Sequence, residues 1–135
     1  MASLTDLARA KPQEPAWSAL MALAGVDMAY LHTPGGDCDY RARMFCPGTG
    51  PAEDPATGSA SAILAAQLLA SGALDQGTNR ITLHQGVEMG QASTIHLTIV
   101  LDQTLQQIRI AGSAIPIAQG QIIPPRMTPP RITTP

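Results

Sequence analysis

The sequence has no block of like charges, and charged residues make up only 13% of it, with a formal net charge of −2. It therefore lacks the electrostatic footprint of a nucleic-acid or anionic-membrane binder, and also the charge-rich composition of a disordered chain. Aromatic residues are few, at 3%, against 44% apolar residues over 135 positions, which reads as one globular domain with a modest core. There are two cysteines, Cys38 and Cys46, too few for a disulfide scaffold and not in a metal-binding spacing. A reducing cytoplasm is the simplest setting for them, with a single disulfide between the two left open. Long hydrophobic runs are missing as well. The segment Ala60 to Ala70 is broken by Ser61 and Gln67 and is about half the length that crosses a bilayer. Met1 to Lys11 contains Asp6 and no continuous apolar stretch after a basic start, so no signal peptide is expected. These features lead to the expectation of a soluble, cytoplasmic protein.

What is present divides into two patterns. In the first half, Thr5 to Arg9 suggests a helix, and Pro12 and Pro15 a turn. Trp17, Leu20, Met21 and Leu23 then recur at near-helical spacing ahead of a stop at Gly25. Those four, and the set Met21, Met28 and Met44, are read as core. Val26 to His32 reads as a short buried strand, Pro34-Gly35-Gly36-Asp37 as a turn, and Asp39 to Cys46 as a second strand in which Arg41 and Arg43 alternate with Ala42 and Met44. Ser59 to Ser71 is apolar on nearly every side, with Gly72 just beyond, which predicts a buried helix. From Arg80 onward the period changes to two, through Ile81 and Leu83, Ile95 to Leu101, Ile108 and Ile110, and Ile115 and Ile117. Turns are marked by Gly86, Gly90, Asp102-Gln103, Gly112 and Gly120. The implied fold class is α+β, a mixed or antiparallel sheet wrapped around a central apolar helix. Residues 124–135 carry five prolines and are expected to form an extended or disordered tail outside a domain of residues 1–123.

The densest chemistry lies in Glu53-Asp54-Pro55-Ala56-Thr57-Gly58-Ser59-Ala60, where two carboxylates, a rigid turn and two hydroxyls stand directly before the apolar helix. Helix N-termini expose unpaired N–H groups and a partial positive charge. Thr57-Gly58-Ser59 can therefore hold a substrate carboxylate without a charged side chain, with Asp54 beside it. The same residues equally suit a plain cap, in which Thr57 or Ser59 bonds helix N–H groups and Asp54 complements the dipole. Other motifs exclude more than they suggest. His32, His84 and His96 are scattered, and no metal site is read from them. Gly48-Thr49-Gly50 lacks the lysine and spacing of a phosphate-binding loop, and Gly58-Ser59 does not form a nucleophile elbow.

The pattern Arg43-x-Phe45-x-Pro47-x-x-Gly50-x-x-Glu53-Asp54-Pro55-Ala56-Thr57-Gly58-Ser59-Ala60, followed by Gln85-Gly86-x-x-Met89-Gly90, resembles the PhzF-like family of phenazine biosynthesis. The resemblance runs from about Leu4 to Ile122 and is to the second half of a family member. It implies one half of a diaminopimelate epimerase-like fold, in which two similar halves meet at a cleft and each aims its central helix N-terminus into it. It further implies that Asp54 is the acid/base residue of this half, with Thr57, Gly58 and Ser59 contacting substrate. Glu53, Gln85 and Gly86 would support them, with Glu53 shaping the turn rather than transferring the proton. The implied chemistry is proton transfer on a small carboxylate metabolite with no cofactor and no metal, and it needs tuned carboxyl groups. In such a fold the epimerase cysteine sits at the helix mouth, where this chain has none, so Cys46 reads as a small buried hydrophobe.

Two departures stand out. The glutamate and histidine expected from a first half are absent from these residues, which points to a fragment or to a chain completed by a partner. Gln91-Ala92-Ser93 also replaces the arginine, proline and serine usual after Met89-Gly90, losing a positive charge near the cleft. Because the two halves are alike, a homodimer is expected to place a second copy in the missing half's position and bring two Asp54 residues together. The alternative is an inactive half-domain that self-associates or binds a small molecule.

Overall fold

Helix-forming spacing near the start of the chain yields two short helices in the computed structural model, which describes residues 1–48 and 50–124. In α1 (Leu4–Arg9) the Ser3 hydroxyl accepts the Asp6 N–H at 3.1 Å, an ordinary N-cap. The second, α2 (Ala16–Ala24), ends on Gly25 in the left-handed conformation at φ +68°, as the sequence suggests. Only part of α2 is covered. Trp17 and Met21 lie one turn apart, and Trp17 meets the Phe45 ring edge-on at 6.5 Å. Leu20 and Leu23 are 58% and 86% exposed, and Met28 is exposed too, so the core role expected for them is not found. A helix apolar around its circumference presents only one stripe to a single neighbour.

Six strands follow: β1 (Ala29–Pro34), β2 (Tyr40–Phe45), β3 (Glu53–Asp54), β4 (Gly77–Gln85), β5 (Ser93–Asp102) and β6 (Thr104–Gly112). β1 starts three residues later than the apolar run at Val26 implied. The sheet order is β1-β2-β4-β5-β6, with β3 also pairing β2. Pairing is antiparallel except between β2 and β4, where Tyr40, Arg41 and Ala42 stand beside Leu83, His84 and Gln85 in parallel register. The period-two reading of β5 holds: Ile95, Leu97, Ile99 and Leu101 are all buried on one face.

Between β3 and β4, α3 (Gly58–Ala70) packs on that face through Ser61, Leu64, Ala65 and Leu68, an i, i+3, i+4, i+7 stripe. Burying Leu64 and Leu68 there contributes roughly 1.5–3 kcal/mol each. The rest of the helix is not enclosed: Ile63 is 72% exposed and Leu69 is exposed as well. The architecture is therefore α+β with an open six-strand mixed sheet against one side of α3, rather than a sheet curled round a fully buried helix. Because the sheet stays open, the opposite face of α3 is uncovered among the described residues.

The strand expected at Ile115 and Ile117 does not form, and these side chains are 85% and 95% exposed. Pro116, between them, has no N–H to give to a ladder. Cys38 and Cys46 are thiols rather than a disulfide, and Cys46 is buried. Among the described residues no helix is long and apolar enough to cross a membrane. The expectation of a proline-rich tail falls, beyond residue 124, outside the described residues.

Candidate active site

One edge of β2 is shared between two partners, and this positions the acidic segment. Tyr40 to Ala42 pair with β4, ending on Ala42 opposite Gln85, whereas Met44 and Phe45 pair with Asp54 and Glu53 of β3. The end of β4 and the end of β3 thus meet along a single strand edge, and Gln85 arrives beside Asp54 although 31 residues separate them in the chain.

Gln85 is completely buried and uses both ends of its amide. Its Nε2 donates to the Asp54 main-chain oxygen at 2.7 Å and to Thr57 Oγ1 at 2.9 Å, while its Oε1 accepts the Thr57 N–H at 3.2 Å. Thr57 Oγ1 in turn donates to Asp54 Oδ2 at 2.6 Å, and Asp54 Oδ1 accepts the Ala56 N–H at a long 3.4 Å. The hydroxyl of Thr57 is thereby committed to the carboxylate, and Thr57 makes no side-chain cap bond to α3. Ser61 N–H to Thr57 O, at 3.1 Å, is the first turn of helical bonding. The N–H groups of Gly58, Ser59 and Ala60 precede it and are the orphan donors that any helix start leaves. The geometry is that of a hydrogen-bonded carboxylate next to a helix mouth, not of a Thr57 cap.

Glu53 is occupied differently. Arg43 donates from Nε and Nη2 to its two carboxylate oxygens, both at 2.8 Å, in the bidentate arrangement that suits a guanidinium. Arg43 Nη1 reaches the main-chain oxygens of Leu7, Ala8 and Ala10 at 2.9, 3.1 and 3.0 Å, satisfying the last carbonyls of α1. The guanidinium also stacks 4.6 Å from the Phe45 ring centroid. Hydrogen bonding to Glu53 raises the Arg43 pKa above its ordinary value, although burial pulls the other way. One buried arginine therefore joins α1, β2 and the strand that carries Asp54. In sequence Arg43 stands as an alternating strand residue and as the first residue of the family pattern, with no role attached to it; the signal for the role is a charged residue inside the buried run Ala42 to Phe45, with an acid ten positions on.

Gly86, at φ +76°, lets the chain turn under Pro55, and a Cβ there would stand 3.0 Å from Pro55 Cα and O and collide with the Gln91 carbonyl oxygen. Gly86→Ala is accordingly expected to destabilise the chain by about 1–3 kcal/mol from the backbone alone, and by more from the collision. A lowered midpoint in urea unfolding checks this; an unchanged midpoint would mean that the turn is not constrained as described.

Two cavities flank the segment. One of about 400 Å³ is lined by Ala56, Ser93, Thr94, Gly112, Ser113 and Ile115. The other, of about 290 Å³, is apolar and holds Ser59 among Met28, Tyr30, Met44 and Ile63. Burial raises the Tyr30 pKa, opposed by its 3.1 Å hydrogen bond with the Ser61 hydroxyl. Of the residues singled out in sequence, Asp54, Thr57, Gly58, Gln85 and Gly86 come together at one point. Glu53 faces Arg43, and Ser59 is exposed on the side of the second cavity.

The family model described as phenazine biosynthesis-like protein, PhzC-PhzF, matches residues 1–120. The chain is 33% identical to an uncharacterized isomerase of Mesorhizobium japonicum over 90% of this chain and 43% of that protein. It is 35% identical to the trans-2,3-dihydro-3-hydroxyanthranilate isomerase of Pseudomonas chlororaphis over 72% of this chain and 35% of that enzyme. An uncharacterized isomerase of Deinococcus radiodurans is 31% identical over 82% of this chain and 37% of its own length. The chain thus spans less than half the length of the relatives it matches.

Proposed function

This chain belongs to the phenazine biosynthesis-like PhzC-PhzF family, and from that membership we propose that it supplies one wall of a cofactor-independent acid/base site that moves a proton on a small carboxylate-bearing metabolite. The supporting observation is the Asp54 carboxylate, oriented by Thr57 and Gln85 beside the unfilled N–H groups at the start of α3. In this reading the substrate carboxylate rests on the Gly58 and Ser59 N–H groups. Asp54 removes a proton from carbon, a second acid returns one to another carbon, and the product is an isomer with no net change in protons.

The second acid comes from outside these residues, and a second copy of the chain is the simplest donor because it presents the same helix mouth and another Asp54. The test combines native mass over a concentration series with solvent-deuterium incorporation into trans-2,3-dihydro-3-hydroxyanthranilate, used as a carboxylate probe because the Pseudomonas relative is named for it. A dimer that incorporates deuterium is the expected result. A stable dimer that exchanges nothing would instead favour a self-associating half-domain without turnover, a reading supported by the exposed Leu20, Leu23 and Ile63.

A further inference from the structure

The turn between β1 and β2 builds a second cluster of reactive side chains. Gly35 N–H donates to Asp39 O at 3.0 Å and closes the turn. Asp39 then fastens it to β4, its N–H donating to Thr82 O at 3.1 Å and its Oδ2 accepting the Thr82 N–H at 2.7 Å. His84 lies two residues beyond Thr82, on the same face of β4, and opposite Arg41 in the parallel register. It therefore stands over Asp37 and Cys38, which the turn holds. Adjacent strand residues face opposite ways, so this cluster is on the other face of β4 from Gln85 and is separate from the acid/base site.

His84 Nδ1 is 3.5 Å from Asp37 Oδ2, and with Cys38 Sγ the three residues place one donor atom each within 4.8 Å of one another. The remaining Asp37 oxygen, Oδ1, is 3.7 Å from Arg41 Nη2, and Arg41 Nη1 is 3.3 Å from Glu88 Oε1. A carboxylate with one oxygen held by an outer cation and the other turned toward an imidazole and a thiol resembles the supported ligand of a metal centre. Gly35 is part of the arrangement, since a Cβ there would collide with Cys38 Sγ.

We propose that Asp37, Cys38 and His84 form a three-ligand zinc site with water in the fourth position. One nitrogen, one oxygen and one sulfur donor suit zinc rather than magnesium or calcium. Zinc–ligand lengths of about 2.0–2.3 Å require donors about 3.3–3.8 Å apart, which side-chain rotation in the exposed turn supplies. Cys38, whose thiol now donates to Tyr40 O at 3.2 Å, gives up that proton on binding.

The experiment is zinc titration of the reduced, tag-free chain against a chromophoric chelator, together with cobalt(II) substitution to read a thiolate-to-metal charge-transfer band. One equivalent of zinc is expected. Cys38→Ser, His84→Gln and Asp37→Asn should each weaken binding at least about tenfold. Cys38→Ser should also remove the cobalt band, while Cys46→Ala leaves both readouts unchanged. Asp37 is an exposed turn residue, so Asp37→Asn keeps the test valid even if a strand variant misfolds. Absence of stoichiometric binding, affinity unchanged in Asp37→Asn and His84→Gln, or a band that survives Cys38→Ser would overturn the assignment and reduce the cluster to an Asp37–His84 ion pair.

Discussion

Asp54→Asn is expected to lower carbon-proton exchange by the assembled protein about 10²–10⁴-fold, the range a positioned general acid/base contributes. The substitution is close to isosteric. An amide oxygen can still accept the Thr57 hydroxyl that now donates to Asp54 Oδ2, and the Asp54 main-chain oxygen keeps its bond from Gln85, so the local structure should persist. Deuterium incorporation from solvent measures the loss, and an unchanged urea midpoint shows that it is not a folding defect. Exchange retained at the wild-type rate would mean that the proton is moved by another group and that the Asp54–Thr57 bond is only structural.

The largest effect on stability should come from Arg43→Met, at about 3–5 kcal/mol, the usual consequence of removing one partner of a buried ion pair. Both side chains are largely out of solvent, at 7% exposure for Arg43 and 13% for Glu53, so little of this is relieved by water. Methionine would leave the Glu53 carboxylate without its bidentate partner and take a donor from the main-chain oxygens of Leu7, Ala8 and Ala10, of which Leu7 keeps the Ala10 N–H. Arg43→Lys should recover only a fraction, because a point ammonium cannot make the fork to Glu53 and also reach α1. Thermal or urea unfolding of the two variants, and of Arg43→Met combined with Glu53→Leu, provides the check. The double variant is expected to be more stable than the sum of the two single effects; a loss under about 1 kcal/mol for Arg43→Met would show that the pair is energetically neutral, as exposed pairs are.

Much of this architecture can be read from local pattern. Ile95, Leu97, Ile99 and Leu101 alternate because one face of β5 meets α3, and Gly25 ends α2 because its backbone is left-handed. The acidic segment stands out for a similar local reason, a proline turn immediately before a helix. What Gln85 does is not local. The motif marks it as a supporting residue, but its hold on both Asp54 and Thr57 follows from the shared edge of β2, which no periodicity encodes. Arg43 is hidden in the same way, since its partners lie in α1 and β3. Leu20 and Leu23 mislead in the opposite direction: apolar spacing describes what a helix can bury, and among the described residues nothing covers that side. Cys38 and His84 are 46 positions apart and acquire meaning only when Asp39 ties the turn to β4.

The shared edge of β2 also sets an order of events in folding. Pairing of Phe45 with Glu53 closes a short loop, whereas pairing of Ala42 with Gln85 must wait until α3 and β4 have been laid down and a much longer loop closed. Contacts so distant in sequence form late and slow the chain. The acidic residue is thus brought to β2 early, but the amide that orients it arrives with the parallel crossover. A chain halted before that step carries the carboxylate without the geometry, which makes a competent site a sign that the crossover is complete.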